Sequence, residues 1–183
     1  MKKIEVVLSD YDPNWEEQFL DEKRSIQEAI GPAILGMEHI GSTSIKGLKA
    51  KPIVGILLGI QSIEEVSELI EALRNIGYEY VPKPELMDRR FFRKGLWGQG
   101  TCHLHICEYN SSEWIDKCLF RDYLRLNAQA AHEYETLKEQ LATHFQYNRQ
   151  TYTRKKEPFI QKVITQAKNE GYEKYYKSHS KKI

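Results

Sequence analysis

The sequence predicts an α/β protein (α+β) in which a mixed sheet is flanked by helices and followed by a helical C-terminal extension. Up to about residue 110, segments with strand character alternate with segments of helical periodicity. From Ser112 onward the apolar residues recur at helical spacing on one side only, and such helices must pack on another layer, most economically the sheet. With 183 residues, of which 40% are hydrophobic and 11% aromatic, the composition is that of a globular protein.

Local signals predict the first elements. Residues 4–8 form an apolar run that is typical of a short strand. Asp12 and Pro13 are suited to the start of a helix, and Gly31-Pro32 is suited to its end. The apolar stripe of this helix consists of Trp15, Phe19, Ile26 and Ile30.

A polar loop then separates two expected strands, one near 34–40 and one at 53–60. Ser62 and Glu65 have the spacing of a capping box for the next helix, which Gly77 ends. Further strands are expected at 78–82, 89–94 and 102–107, and helices at about 112–126, 128–147 and 156–170.

No internal repeat or low-complexity linker divides the chain, so residues 1–183 are expected to form a single domain. Residues 1–110 would make its sheet core and residues 111–170 the helices packed on that core. Residues 171–183 are polar and rich in lysine, and we expect this tail to be frayed.

Charge and cysteine content narrow the class of protein. The 27 basic and 26 acidic residues leave a formal charge of +1, which argues against a dedicated nucleic-acid binder. No apolar run approaches the length of about 18 residues that spans a membrane, so no membrane partner is expected. Three cysteines without framework spacing favour a reducing, cytoplasmic setting.

The polar loop Gly41-Ser42-Thr43-Ser44 leads through Lys51-Pro52 into the apolar strand 53–60. Glycine lets a backbone approach a phosphate closely, and the three hydroxyl groups are candidate donors to it. Lys51 would supply positive charge. The alternative is an ordinary polar turn, because these are also common turn residues.

His103 and His105 alternate with apolar residues along one predicted strand, so both project from the same face. At about 7 Å between their α-carbons they can converge on one metal ion or one phosphate. Cys107 lies about 13 Å from His103 along the strand, too far to share that ion. The alternative is two histidines on a solvated or helix-covered face.

The segment 88–94 is strongly basic, and its strand pattern gives each face one aromatic residue between two cations. Arginine suits bidentate phosphate contact, but charge also keeps edge strands soluble. Either face remains open as the one that binds. The two faces consist of Arg89, Phe91 and Arg93, and of Arg90, Phe92 and Lys94. We expect Ser42, His103, His105 and at least one of these arginines to face one concavity.

Two more basic groups lie in the helical part. Arg121 and Arg125 are one helical turn apart, and they either point at the ligand or lie on a solvated helix face. A basic, aromatic joint is expected before the last long helix, where it would touch a polynucleotide or form a solvated junction. This joint consists of Tyr147, Tyr152, Arg154, Lys155 and Lys156.

The loop, its Lys-Pro-Ile strand, the His-x-His strand and the Arg-Arg-Phe-Phe-Arg-Lys strand resemble those of the GrpB family over roughly residues 5–170. The resemblance implies a nucleotidyltransferase-like fold, in which a Gly-Ser turn precedes a strand bearing metal-binding carboxylates. Position 55, where the family usually has Asp, is Gly55 here. The next residue on that face is Leu57, so this strand offers no carboxylate.

The expected function is therefore binding of a phosphorylated small molecule, by preference a nucleotide, with catalysis weak, altered or absent. One alternative is an active metal-dependent nucleotidyl- or phosphoryl-transferase that recruits Glu38, Asp88 or Glu108. Another is a protein-interaction module that uses the helical tail. A divalent-metal cofactor stays open, with His103 and His105 as its candidate ligands.

Overall fold

The computed structural model describes residues 5–96 and 98–179, the last three of these by their backbone alone. The strands are β1 (Gly36–Ile40), β2 (Val54–Ile60), β3 (Tyr78–Tyr80), β4 (Arg89–Leu96) and β5 (Gln99–Glu108). The helices are α1 (Asn14–Ile30), α2 (Val66–Asn75), α3 (Ser112–Leu126), α4 (Ala128–His144), α5 (Arg149–Asn169) and α6 (Glu173–His179). Short 3-10 turns cover Gly31–Ala33, Ser42–Ser44 and Ile63–Glu65.

The five strands form one mixed sheet in the order β1-β2-β5-β4-β3. β2 and β5 run parallel, and the other neighbouring pairs are antiparallel. Gly55 of β2 lies between Ile40 of β1 and His103 of β5, and His103 in turn lies beside Arg93 of β4. This confirms the predicted mixed sheet with a helical C-terminal region.

Both faces of the sheet are covered by helices. On one face Ile56, Leu58, Leu104, Ile106 and Phe92 are buried in a cluster that also contains the apolar stripes of α1 and α2. On the other face the buried partners of Leu57 and Cys107 are side chains of α3, α4 and α5, among them Trp114, Leu119, Tyr134 and Val163. The unbroken apolar run of β2 follows from this, since a strand covered on both faces needs no polar alternation.

The ends of the first two helices depend on local hydrogen bonds. The N–H of Asn14 donates to Asp12 Oδ1 at 2.9 Å, and the predicted apolar stripe of α1 is buried. Ser62 accepts a 3.4 Å bond from the N–H of Glu64. It thus caps the 3-10 turn Ile63–Glu65, which leads into α2.

The strand predicted at residues 4–8 does not form over residues 5–8, and residue 4 lies outside the described residues. This segment lies outside the sheet. The N–H of Val6 donates to the carbonyl of Gln146, and Ser9 makes an isolated bridge with Ala50. Val6 is buried, but Val7 is 53% exposed, so the apolar run does not lie against a single face.

The C-terminal helices differ from the predicted boundaries. α5 begins at Arg149, not at 156, because Asn148 accepts a 3.0 Å bond from the N–H of Thr151 and caps the helix seven residues earlier. α4 ends at His144 instead of 147. Leu126 belongs to the one-sided apolar pattern that begins at Ser112, but it is 69% exposed at the end of α3.

Of the tail 171–183 that we expected to be frayed, Glu173–His179 forms helix α6, and residues 180–183 lie outside the described residues. Two aromatic side chains, one just before α6 and one within it, contact α3. The ring of Tyr172 packs edge-on against Tyr123 at 5.6 Å, and the hydroxyl of Tyr176 donates to Asp122. These contacts give the lysine-rich segment a packed side that its composition does not indicate. No helix within the described ranges is both long enough and apolar enough to cross a membrane.

Two glycines let α3 approach the sheet. A Cβ atom at Gly59 of β2 would lie 2.8 Å from the ring of Tyr109 and 2.9 Å from that of Trp114, and a Cβ atom at Gly36 of β1 would meet the same two rings. The rings of Tyr109 and Trp114 pack edge to face at 4.9 Å. The sheet therefore accepts this aromatic pair only because both facing positions lack a side chain.

We expect Gly59→Ala to lower the free energy of unfolding by about 1–3 kcal/mol, because the added methyl group overpacks this contact. Urea denaturation followed by circular dichroism measures the change. Gly100→Ala is the matched control, since its Cβ atom would lie 3.5 Å from the nearest atom in an ordinary contact. Equal stability of the two variants would contradict the packing argument.

Candidate functional site

Two of the three hydroxyl groups of the Gly-Ser loop have partners within the loop or in the preceding strand β1. Gly41 has φ = 74°, a conformation that favours glycine, and it directs the chain from β1 into the turn Ser42–Ser44. The hydroxyl of Ser44 donates to the carbonyl of Gly41 at 2.6 Å. Thr43 Oγ1 lies 3.0 Å from Nε2 of His39. Ser42 is the residue of the loop whose hydroxyl points towards the C-terminal helices.

The partner of Ser42 is a buried lysine of α4. Nζ of Lys138 donates to Ser42 Oγ at 3.1 Å and to the carbonyl of Lys49, and it lies 5.0 Å from the centre of the Tyr134 ring. Only 2% of Lys138 is exposed. Burial lowers the pKa of its ammonium group to about 8, although Glu135 and Glu139 oppose this shift. Lys138 was not predicted from the sequence, because a single lysine in a helix forms no pattern.

Two further lysines share one aromatic ring. Nζ of Lys51 and Nζ of Lys156 lie 5.2 Å and 4.6 Å from the centre of the buried Tyr152 ring. Burial, then the charge of Arg149, lowers the pKa of Lys51 to about 8. Burial, then the charges of Lys51 and Lys138, lowers the pKa of Lys156 to about 7, although Glu157 raises it.

The histidines of β5 lie on the same side of the sheet. His103 and His105 project from the face that α3–α5 cover, and the ring of Phe91 contacts both imidazoles, at 5.0 Å and 5.2 Å between ring centres. Burial is the largest cause that lowers the pKa of His103 to about 4. The nearby cations Lys51, Arg149, Lys83 and Arg93 add to it.

His105 is more enclosed than His103. Its Nδ1 atom is buried without a hydrogen-bond partner among the described residues. Burial, followed by the charges of Lys117 and Arg89, holds its pKa well below the usual range. Both imidazoles are therefore neutral at pH 7.

We use the name basic cluster for Ser42, Lys51, Lys138, Lys156, His103 and Arg149. Contacts and charge interactions connect its members in order, from the loop through the lysines to β5. Ser42 is thus connected to the side of the sheet from which His103 projects. That these residues and an arginine of the strand 89–94 face one concavity stays a prediction. Lys138 and Arg149 were not singled out from the sequence, and Lys156 was expected only in the basic, aromatic joint.

One face of the strand 89–94 lies on the same side of the sheet as His103 and His105. Arg89, Phe91 and Arg93 project towards it, whereas Phe92 is buried in the opposite core and Lys94 pairs with Glu22 at 2.9 Å. Arg93 lies beside His103 and pairs with Glu79 at 2.7 Å, and Arg89 pairs with Glu113. Arg90 lies on the opposite face and donates to the carbonyls of Leu86 and Met87.

The structure places the predicted helical arginines elsewhere. Arg121 is buried and donates to Glu38 at 2.5 Å, to Asp122 at 2.6 Å and to the carbonyl of His39 at 3.1 Å. Arg125 donates to the carbonyl of Ser44 at 2.8 Å and 3.0 Å. Both line a cavity of about 890 Å³ at the β1 edge of the sheet, together with His39, Thr43, Ser44 and residues of α1 and α4. The Gly-Ser loop therefore separates this cavity from the basic cluster.

The acidic residues that a metal-dependent reaction would recruit are engaged elsewhere or exposed. Glu38 pairs with Arg121, Glu108 accepts a 3.2 Å bond from the N–H of Ile63, and Asp88 is exposed. Within residues 5–96 and 98–179, no group of three or more His, Cys, Asp or Glu side chains is arranged to hold a metal ion. The donor set of this face does not match the carboxylate-bound Mg²⁺ of nucleotidyl transfer.

Comparisons with known proteins agree with this architecture. A family model described as GrpB protein matches residues 5–166. The chain is 33% identical over 170 residues to the glutamate-rich protein GrpB of Alkalihalophilus pseudofirmus, covering 91% of this chain and 98% of that protein. The crystal structure of the conserved protein GrpB from Enterococcus faecalis is 36% identical, with a TM-score of 0.83, and the match covers 91% of this chain and 99% of that one.

A more distant match concerns the fold alone. The structure of the GLD-2/RNP-8 complex matches with a TM-score of 0.56 at 13% identity, covering 85% of this chain and 59% of that chain. Its fold is that of the nucleotidyltransferase polymerases, which confirms the predicted nucleotidyltransferase-like fold.

The enclosed histidines predict how stability depends on pH. His39 is buried and stacked on Phe19 at 4.8 Å, and burial, then Arg125 and Arg121, lowers its pKa to about 4. Between pH 6.5 and 4 the unfolded chain binds the proton that folded His39 excludes. Its contribution to stability is therefore complete above pH 6.5 and is lost as the pH falls to about 4.

We expect His39→Gln to reduce the slope of unfolding free energy against pH in this window by up to about 1.4 kcal/mol per pH unit, the effect of one proton. Urea denaturation at several pH values measures the slope. His132→Gln, which removes an exposed histidine from α4, is the control. An unchanged slope in His39→Gln would show that folded His39 binds its proton as the unfolded chain does.

Proposed function

Because this chain belongs to the GrpB family and has a nucleotidyltransferase-like fold, we propose that it binds a phosphorylated small molecule at the basic cluster. By preference this ligand is a nucleotide, and catalysis is weak or absent. The preference for a nucleotide rests on the fold alone. The proposed binding of phosphate rests on the charges and donors of the cluster.

The observation that carries the proposal is the proximity of three lysines, of which Lys138 is buried and the other two are half-buried. Burial lowers the pKa of Lys51, Lys138 and Lys156, and the charges of the other two lysines add to the shift in Lys156. Bringing like charges together where water is partly excluded costs folding free energy. A bound phosphate reverses the sign of this interaction, because its negative charge stabilises every ammonium group that faces it.

The remaining cluster residues supply directed hydrogen bonds. The hydroxyl of Ser42 rotates to donate or accept, and the neutral imidazole of His103 donates one N–H. The space beside Gly41 is open, because a Cβ atom there would have nothing within 4 Å. A phosphate oxygen can therefore approach the backbone at this position. Arg149 adds a planar cation whose Nε atom is buried without a partner among the described residues.

Two further properties belong to the same proposal. The helices α3–α5 bury Leu57 and Cys107 of the sheet, which supports folding of the core and the C-terminal helices as a single domain. All three cysteines, Cys102, Cys107 and Cys118, are buried and unpaired. This favours the reducing, cytoplasmic setting that we infer from the sequence.

We expect Lys156→Gln to weaken the binding of ATP by about 1–3 kcal/mol, because a charge-assisted contact is lost. Isothermal titration calorimetry measures the affinity. Lys155→Gln removes the same charge from an exposed position one residue away on α5 and should bind ATP like the parent.

Without ligand, Lys156→Gln should unfold at a temperature at least as high as that of the parent, because a desolvated, repelled charge has been removed. Weaker binding by a destabilised variant would therefore indicate misfolding instead of a lost contact. Equal affinity in both lysine variants would refute phosphate binding at the basic cluster.

Binding should also take up protons near pH 8. The lysines have pKa values of about 7 to 8 when the cluster is free, so part of them is neutral there. A bound anion raises these pKa values, and affinity should fall as the pH rises through this range. Calorimetry with ATP in two buffers of different ionisation enthalpy measures the proton uptake. Release of protons, or none exchanged, would contradict the proposal.

A further inference from the structure

We infer that the basic cluster takes a polyphosphate chain free of divalent metal, with its lysines supplying the positive charge that a metal ion would otherwise supply. This inference rests on the proposed function and specifies the ligand class of the same site. It follows from the donor set, from the spacing of the two strands at Gly55 and from the order of the cations.

On the two central strands, the positions that face the cluster supply no metal-binding oxygen. On β2 these positions are Gly55 and Leu57, and on β5 their direct neighbours are His103 and His105. Mg²⁺ binds oxygen ligands, carboxylates above all, and a neutral imidazole does not replace them. The surrounding charges also oppose a cation, since the charges that most strongly affect the two histidines are those of lysines and arginines.

The backbone of β1 occupies the space that a side chain at position 55 would need. A Cβ atom at Gly55 would lie 2.7 Å from the carbonyl oxygen of Ile40 on β1, which is nearer than such atoms approach in folded proteins. Because the obstacle is backbone, an aspartate at position 55 would have to displace the end of β1 just before the Gly-Ser loop. The absence of the carboxylate is therefore built into the strand spacing.

The two histidines do not form a metal site on their own. Both imidazoles pack against the ring of Phe91, and Nδ1 of His105 is buried without a partner among residues 5–96 and 98–179. A stable metal site needs three or four ligands, and the described part of the chain assembles no such group here. The softer metal that two histidines would favour thus lacks its remaining ligands.

The cations follow one another from the loop to β5. Lys138 donates to Ser42. The charges of Lys138 and Lys51 both lower the pKa of Lys156. Lys51 and Lys156 contact the same ring, that of Tyr152. This series of cations ends beside His103, whose pKa is lowered by the charges of Lys51 and Arg149. An ordered series of ammonium groups matches a chain of phosphates better than it matches a single one.

The test is calorimetry on the unmodified full chain with inorganic tripolyphosphate, once with EDTA and once with excess Mg²⁺. We expect binding in EDTA and an affinity at least about tenfold lower with Mg²⁺, because the metal neutralises the phosphate oxygens that the lysines would contact. Equal or tighter binding with Mg²⁺ would overturn the inference and leave the proposed function intact. No binding in either condition would overturn the proposed function itself.

A second series in EDTA compares inorganic phosphate, pyrophosphate and tripolyphosphate. Affinity should rise at least about threefold with each added phosphate if successive ammonium groups are engaged. Equal affinity for phosphate and tripolyphosphate would show a single-phosphate site and overturn the chain model. Because the native sequence is used throughout, neither result depends on whether a variant folds.

Discussion

The parallel pairing of β2 with β5 determines where every other element lies. Both strands are buried on both faces, so helices must cover both sides of the sheet. α1 and α2 cover one side, and α3, α4 and α5 cover the other. The same pairing sets Gly55 beside His103, and the helices that cover this side carry Lys138 and Lys156. The candidate site is thus formed where an N-terminal sheet meets C-terminal helices.

Electrostatics distinguishes the two sides of the Gly-Ser loop. At the cavity, Arg121 is neutralised by Glu38 and Asp122, and Arg125 is satisfied by the carbonyl of Ser44. In the basic cluster burial lowers the pKa of all three lysines, and the charges of Lys51 and Lys138 lower that of Lys156 further. A protein retains such an arrangement when a ligand offsets it, because nothing in the fold requires two ammonium groups on one tyrosine ring and a third buried nearby.

Hydrophobic periodicity was sufficient to predict α1, the strands β1, β2, β4 and β5 and the existence of helices after residue 112. It failed at residues 5–8, which do not join the sheet, and the next residue, Ser9, makes an isolated bridge with Ala50. It also misplaced the start of α5, because the cap at Asn148 lies within a polar segment whose apolar stripe begins later.

The candidate site was predictable only where its residues form local patterns. The Gly-Ser loop and the His-x-His strand have recognisable spacing, and strand alternation places both histidines on one face. Lys138 has no such pattern and depends on how α4 packs, a long-range property. For Arg121 and Arg125, helical spacing shows that they share a face of α3, but it does not show that this face meets the cavity at β1.

The contacts of Lys138 have a consequence for the entropy of binding. Two of its three N–H donors are already directed, to Ser42 and to the carbonyl of Lys49, so its side-chain freedom of about 1.5–2 kcal/mol is lost when the chain folds. Among the described residues, the ammonium groups of Lys51 and Lys156 contact the Tyr152 ring but make no hydrogen bond. They retain freedom that a ligand would remove. The site therefore has a preorganised end at the loop and an adaptable end towards β5, and ligands that differ only at the second end would be discriminated less sharply.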